Sequence, residues 1–118
     1  MIASSRQVAI MRGNWAFSYH AEKHSLSING RQIYLSQLQF LIFLCFLRAL
    51  EPSQATIQVG KGIILASITV DDLASVIGAA DSHMRSCYIY RLNKKLLVVR
   101  LSIRLSREKG IYLLYGDL

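Results

Sequence analysis

The sequence predicts an α+β fold: an antiparallel sheet first, three helices in the middle and a basic β-hairpin at the end. Three observations carry this expectation. Asn29-Gly30 separates two alternating apolar runs, a strong hairpin signal because both turn residues must accept positive φ. Ser36 and Thr69 each stand at the head of a helical stretch, where a hydroxyl can cap free backbone N–H groups. After Leu97 the chain alternates again: Val99, Leu101, Ile103 and Leu105 share one face, and Arg100, Ser102, Arg104 and Ser106 the other.

A chain of 118 residues, 53% hydrophobic and 18% charged, is one globular domain with a real core. Its parts are an N-terminal sheet over 7–35, a three-helix core over 36–97 with an extra segment at 53–68, and a terminal hairpin over 98–115. Residues 7–19, QVAIMRGNWAFSY, are expected to be extended, with Trp15, Phe17 and Tyr19 at the period of a half-buried strand. Leu26 and Ile28 before Asn29-Gly30, and Ile33 and Leu35 after it, form the hairpin that follows.

Ser36 opens the first helix, and Gln39 three residues on completes a capping box. The run from Leu38 to Leu47 is apolar nearly all round, as in a helix central to a core, and Glu51-Pro52 ends it. Cys45, inside that run, is expected to be a small buried hydrophobe. In 53–68, Ile57 and Val59 precede Gly60-Lys61-Gly62, and Ile63 and Leu65 follow, which predicts two short strands about a glycine turn. This turn is no phosphate loop, because the G-x-x-x-x-G-K-S/T spacing is absent.

Thr69, followed by Asp71 and Asp72, starts a short second helix that stops at Gly78. Gly78-Ala79-Ala80 forms a tight turn, and Asp81 or Ser82 caps a third helix, DSHMRSCYIYRLNKKLL. Ile89, Leu92 and Leu96 fall on one stripe of it, and His83, Cys87, Tyr90, Arg91 and Lys94 lie opposite. Two helices joined by a brief glycine turn form a helix-turn-helix, whose second member reads DNA. Arg107-Glu108-Lys109-Gly110 gives the closing hairpin a basic tip, the position of a wing.

The charge is one-sided. Residues 1–82 hold six Arg/Lys against five Asp/Glu, a net of +1, and residues 83–118 hold eight against two, a net of +6. A basic field confined to one third of a chain suits a polyanion. No catalytic constellation is present: His20, His24 and His83 have no Ser, Cys or Asp partner at a recognisable spacing, and Asp71 and Asp72 serve a helix start. The chain is therefore expected not to be an enzyme. His20 and His24 lack a third ligand and are expected to be exposed, so neither a metal nor a cofactor is expected. Two cysteines do not make a disulfide framework. The N-terminus lacks the apolar segment of a signal peptide, and Phe40 to Leu47 is eight residues, short of the ~20 a membrane span needs. A cytoplasmic setting without a membrane segment is expected.

The order sheet, three helices, basic hairpin resembles the winged helix-turn-helix DNA-binding domain of OmpR/PhoB response regulators and of ToxR/CadC-like activators. RGNWAF…NGRQIYLSQLQF is similar to the ToxR/CadC-type opening, YIYRLNKKL to the recognition-helix pattern H-I-x-R-L-R-K-K-L, and REKGIYLL to the end of the wing. These segments span most of the chain outside 52–68. Asn93 stands where the family has arginine, and the Gly-Tyr pair of the wing is split as Gly110-Ile111-Tyr112. No receiver segment is present, so the ToxR/CadC-like group is the nearer match, and phosphorylation control of that kind is not expected within this chain.

The resemblance implies a bacterial transcriptional regulator that binds double-stranded DNA in a sequence-specific manner. Residues 82–97 would lie in the major groove and the hairpin near 107–110 in the adjacent groove. It places DNA contacts on His83, Cys87, Tyr90, Arg91, Asn93 and Lys94, with Arg107 or Lys109 at the tip. Arg91 would fork to guanine or to phosphate, Cys87 would touch a thymine methyl, and Tyr90 and Lys94 would reach phosphates. RNA polymerase or a co-regulator would be further partners, with a homodimer on tandem half-sites. The competing expectation is a winged-helix module that binds protein, acting as co-regulator or antagonist of another transcription factor. Anionic-membrane association would need large exposed apolar residues on an amphipathic helix, which are not evident in the sequence.

Overall fold

The structure, a computed structural model, describes residues 7–12, 15–50, 57–59, 62–78 and 81–117, and the side chains of all these except 7–12 and 57–59. Four strands come first: β1 (Gln7–Arg12), β2 (Trp15–His20), β3 (Ser25–Ile28) and β4 (Arg31–Tyr34). They form one antiparallel sheet in the order β1-β2-β3-β4. Helix α1 (Gln37–Ala49) follows, then β5 (Ile57–Val59), β6 (Gly62–Thr69), α2 (Val70–Ile77) and α3 (Ser82–Leu96). A single 3-10 turn (Leu97–Val99) leads into β7 (Leu101–Ser106) and β8 (Ile111–Asp117). The second sheet is also antiparallel and runs β5-β6-β8-β7. The fold is α+β, with three helices and two small antiparallel sheets among the described residues.

Local chemistry explains most boundaries. Ser36 caps α1 through a complete box: its hydroxyl accepts from the Gln39 N–H at 3.2 Å, and Gln39 Oε1 accepts from the Ser36 N–H at 3.0 Å. Thr69 and Asp72 make the same reciprocal pair at the head of α2, at 3.0 and 3.3 Å. Gly78, at φ +68°, ends α2 in the left-handed region that glycine enters without a steric cost. Asp81 caps α3, its carboxylate accepting from the His83 N–H at 2.8 Å. Replacing Thr69 with alanine should lower the unfolding free energy by about 1 kcal/mol, read as a lower urea midpoint at unchanged slope.

The core is continuous. Phe17 of β2 meets Phe43 of α1 with ring centroids 6.3 Å apart, and Tyr19 meets Phe40 edge-on at 5.8 Å. Leu26, Ile28 and Ile33 complete the inner face of the first sheet. The other flank of α1 packs on β6 and α2, while Ile89, Leu92 and Leu96 bury the inner stripe of α3. Gly116 of β8 lies against the Trp15 indole of β2, so the two sheets touch there directly.

Several elements differ from expectation. The stretch expected as one extended run holds two antiparallel strands, β1 and β2, with Arg12 opposite Trp15. The closing hairpin starts at Leu101 rather than before it: Val99 sits in the 3-10 turn, and Arg100 adopts φ +63°. Leu105, expected on the buried face of the hairpin, is 42% exposed. α1 is not buried all round, since Leu41 faces outward. The described residues of segment 53–68 fall in β5 and β6; β6 is an inner strand of the second sheet, and its last residue, Thr69, caps α2. The helix stop at Glu51-Pro52, the turn residues Gly60 and Lys61, the Ala79-Ala80 half of the second turn, and residues 1–6 of the N-terminus lie outside the described residues. Among those described, no helix is long and apolar enough to cross a membrane.

Candidate nucleic-acid interface

α3 has no acidic residue along its fifteen positions, SHMRSCYIYRLNKKL. Its inner stripe anchors it, so the opposite stripe faces out. His83, Tyr90, Arg91 and Lys94 are exposed there, and Cys87 is half-buried. Contacts between residues four apart order the stripe. Cys87 Sγ and His83 Nε2 lie 3.8 Å apart, and Lys94 Nζ stands 4.7 Å from the centroid of the Tyr90 ring. Tyr90, a large aromatic, is 62% exposed on this face. Lys94 and Lys95 also occupy the last turn, where cations offset the negative end of the helix dipole.

Asn93 behaves differently from the other predicted contact residues. It is half-buried, and its amide closes a two-bond clamp on β7: Nδ2 donates to the Ile103 carbonyl at 3.0 Å, and the Ile103 N–H donates to Oδ1 at 2.7 Å. Asn93 thus fastens the C-terminal hairpin to α3. An arginine here could not make both bonds, because guanidinium has no acceptor.

The hairpin is fixed at its far end too. The Gly110 N–H donates to Ser106 O at 2.9 Å, and the Gly110 carbonyl accepts from Val70 N–H, the first residue of α2, at 3.1 Å. Arg107, Glu108 and Lys109 form the exposed tip. Exposed cations outside the predicted contact set also lie here, Lys95, Arg100 and Arg104 among them. Arg104 is exposed on β7 with its guanidinium 4.6 Å from the Tyr115 ring centroid, and Lys95 follows Lys94 into solvent. The polar side of the strand alternation was the available signal for Arg104.

Elsewhere the chemistry is structural. His20 and His24 are half-buried rather than exposed, and the His24 ring lies 5.5 Å from that of Phe40. Neither joins a cluster: among the described residues no three His, Cys, Asp or Glu side chains converge as metal ligands would. Cys45 and Cys87 are both free thiols. Cys45 is partly rather than fully buried; desolvation raises its pKa, with Arg48 opposing and Asp72 adding to the rise. Less thiolate at neutral pH means Cys45 should react with maleimide more slowly than a free cysteine, a labelling rate that mass spectrometry can follow.

The chain matches no protein-family model, no curated protein and no solved structure.

Proposed function

We propose that this chain is a sequence-specific DNA-binding transcriptional regulator, with α2 and α3 as a helix-turn-helix and β7–β8 as its wing, of OmpR/ToxR type. The observation that carries the reading is the outward stripe of α3. It is acid-free, ordered by contacts four residues apart, and held to the hairpin by the Asn93 clamp. A reader helix must be rigid relative to its wing, because phosphate contacts at one fix the register at the other.

In this reading Arg91 supplies base or phosphate recognition from the centre of the stripe. Cys87 supplies an apolar contact to a thymine methyl, and His83 a further polar contact. Tyr90 and Lys94 reach phosphates, and Arg107 and Lys109 enter the adjacent groove. Asn93 acts indirectly, by positioning the wing. The protein would work in the bacterial cytoplasm, at the nucleoid, without catalysis, metal or cofactor. RNA polymerase, a co-regulator or a second copy on a tandem half-site would be its further partners.

Selection of bound duplexes from a random pool tests the reading, followed by titration of the winner at several salt concentrations. A consensus should emerge, and log K should fall linearly with log salt. Lys94→Ala should weaken all duplexes alike and flatten the salt slope by about 1. Recovery of no consensus, or binding insensitive to salt, would remove the proposal. A protein-binding module is the second reading, favoured by the apolar surface beside the end of α3, where Leu97 is 72% exposed.

A further inference from the structure

A surface groove of about 470 Å3 runs between β4 and the C-terminal end of α3, lined by Arg31, Gln32, Ile33, Tyr34, Lys94, Lys95 and Val98. Successive strand residues point to opposite faces, so a groove touching all four residues of β4 follows the strand's edge. That edge is open, because β4 is the last strand of its sheet and only β3 pairs with it among the described residues. The pairing parity fixes which backbone groups it offers. Ile28 and Arg31 flank the two-residue Asn29-Gly30 turn, and the Leu35 N–H donates to the His24 carbonyl at 2.9 Å. Arg31, Ile33 and Leu35 therefore bond inward to β3, and Gln32 and Tyr34 direct their N–H and C=O groups to the open side.

The lining of the groove limits what can fill it. Arg31, Lys94 and Lys95 give three cations, and no acidic side chain lines it. Between them lies apolar surface: Tyr34 is 60% and Val98 49% exposed. Phosphates would satisfy the cations but would leave this apolar surface and the unpaired strand edge without partners. An extended peptide supplies all three complements at once: backbone groups for the edge, carboxylates for the cations, and apolar side chains at alternate positions. We infer that this groove binds an acidic, apolar-alternating segment of a partner protein as a fifth strand antiparallel or parallel to β4. The inference goes beyond DNA recognition and does not depend on it.

The test is fluorescence polarisation with a labelled peptide of about eight residues that alternates aspartate or glutamate with valine or tyrosine, long enough to span β4 with a margin at each end. A matched peptide with lysine in place of the acids serves as control. The wild-type chain should bind the acidic peptide and not the lysine peptide. Arg31→Glu combined with Lys95→Glu should weaken binding roughly tenfold or more. Gln32→Pro, which removes one outward N–H and leaves the bonds to β3 intact, should weaken it comparably, with thermal melts confirming that both variants fold. Arg91→Ala should leave peptide binding unchanged, so failure of the DNA reading and failure of this one are separable.

Equal binding of both peptides, or no binding of the acidic one, would overturn the inference. So would a charge reversal that weakens binding of a DNA duplex while leaving the peptide untouched, which would assign the groove to nucleic acid. Concentration-dependent dimerisation abolished by Gln32→Pro, without peptide binding, would assign the edge to a second copy and overturn it as well.

Discussion

Replacing Asn93 with leucine should lower the unfolding free energy by about 2–3 kcal/mol, because two half-buried backbone groups of Ile103 lose their partners while the volume is nearly kept. A surface residue on a helix would give a change within about 0.5 kcal/mol either way. The difference separates a positioning role from an outward-facing one. Asn93→Asp is a second probe: its carboxylate still accepts from the Ile103 N–H, but its other oxygen takes the place of the donor and faces the Ile103 carbonyl. It should destabilise as well at neutral pH, and less once acid protonates the carboxyl and restores a donor. Urea denaturation of the three proteins measures the stabilities. Amide exchange at Ile103 shows whether the hairpin loosens locally before the domain unfolds. An unchanged midpoint for the leucine variant would remove the clamp from the account of how α3 and the hairpin are held together.

A single methyl group at Gly116 should be costly for a different reason. A Cβ built there would stand 2.5 Å from Trp15 Cζ2 and 2.7 Å from Cε2, well inside contact distance. The indole cannot swing away cheaply, since Trp15 is buried and stacked on Phe17 at a centroid separation of 6.2 Å. Overpacking of this kind costs about 1–3 kcal/mol, here at the point where the two sheets meet. Trp15→Leu removes the obstructing ring at its own cost in buried area. Added to Gly116→Ala, it should destabilise by less than the sum of the single changes. Strict additivity would mean that Gly116 and Trp15 do not share the space assigned to them.

What the sequence disclosed about the fold follows from the range over which each signal acts. The Ser36 box, the Thr69 cap, the Asn29-Gly30 turn and the Gly78 stop are decided within four residues, and each was readable; that Asp72 closes a box on Thr69 was not read. The inner stripe of α3 was readable for the same reason, because Ile89, Leu92 and Leu96 repeat at helical spacing. The division of 7–19 into β1 and β2 was missed although the apolar positions change phase between them, from Val8 and Ile10 to Trp15, Phe17 and Tyr19. The 3-10 turn was missed because Val98-Val99 before Arg100 mimics strand alternation, and only the left-handed Arg100 breaks the period.

Tertiary partnership was the harder part of the site. Asn93 looks like a variant of a contact position until Ile103, ten residues on, is seen to hold both atoms of its amide. Arg31 and Lys95 are more than sixty residues apart, and no local pattern places them on the walls of one groove. By contrast, His83, Cys87, Tyr90, Arg91 and Lys94 lie within a single helix, so their shared stripe followed from the period of the helix alone.

The central proposal, that the outward stripe of α3 reads DNA, is tested most directly at Arg91. Wild type and Arg91→Ala would be titrated against the selected duplex and against a panel of duplexes that each change one base pair. The proposal predicts that Arg91→Ala costs about 1–3 kcal/mol on the selected duplex and flattens the preference at one or two adjacent positions. Its binding to the most altered duplexes should change little. An Arg91→Ala protein that bound the whole panel with the wild-type pattern and affinity would contradict the proposal that this helix is the reader.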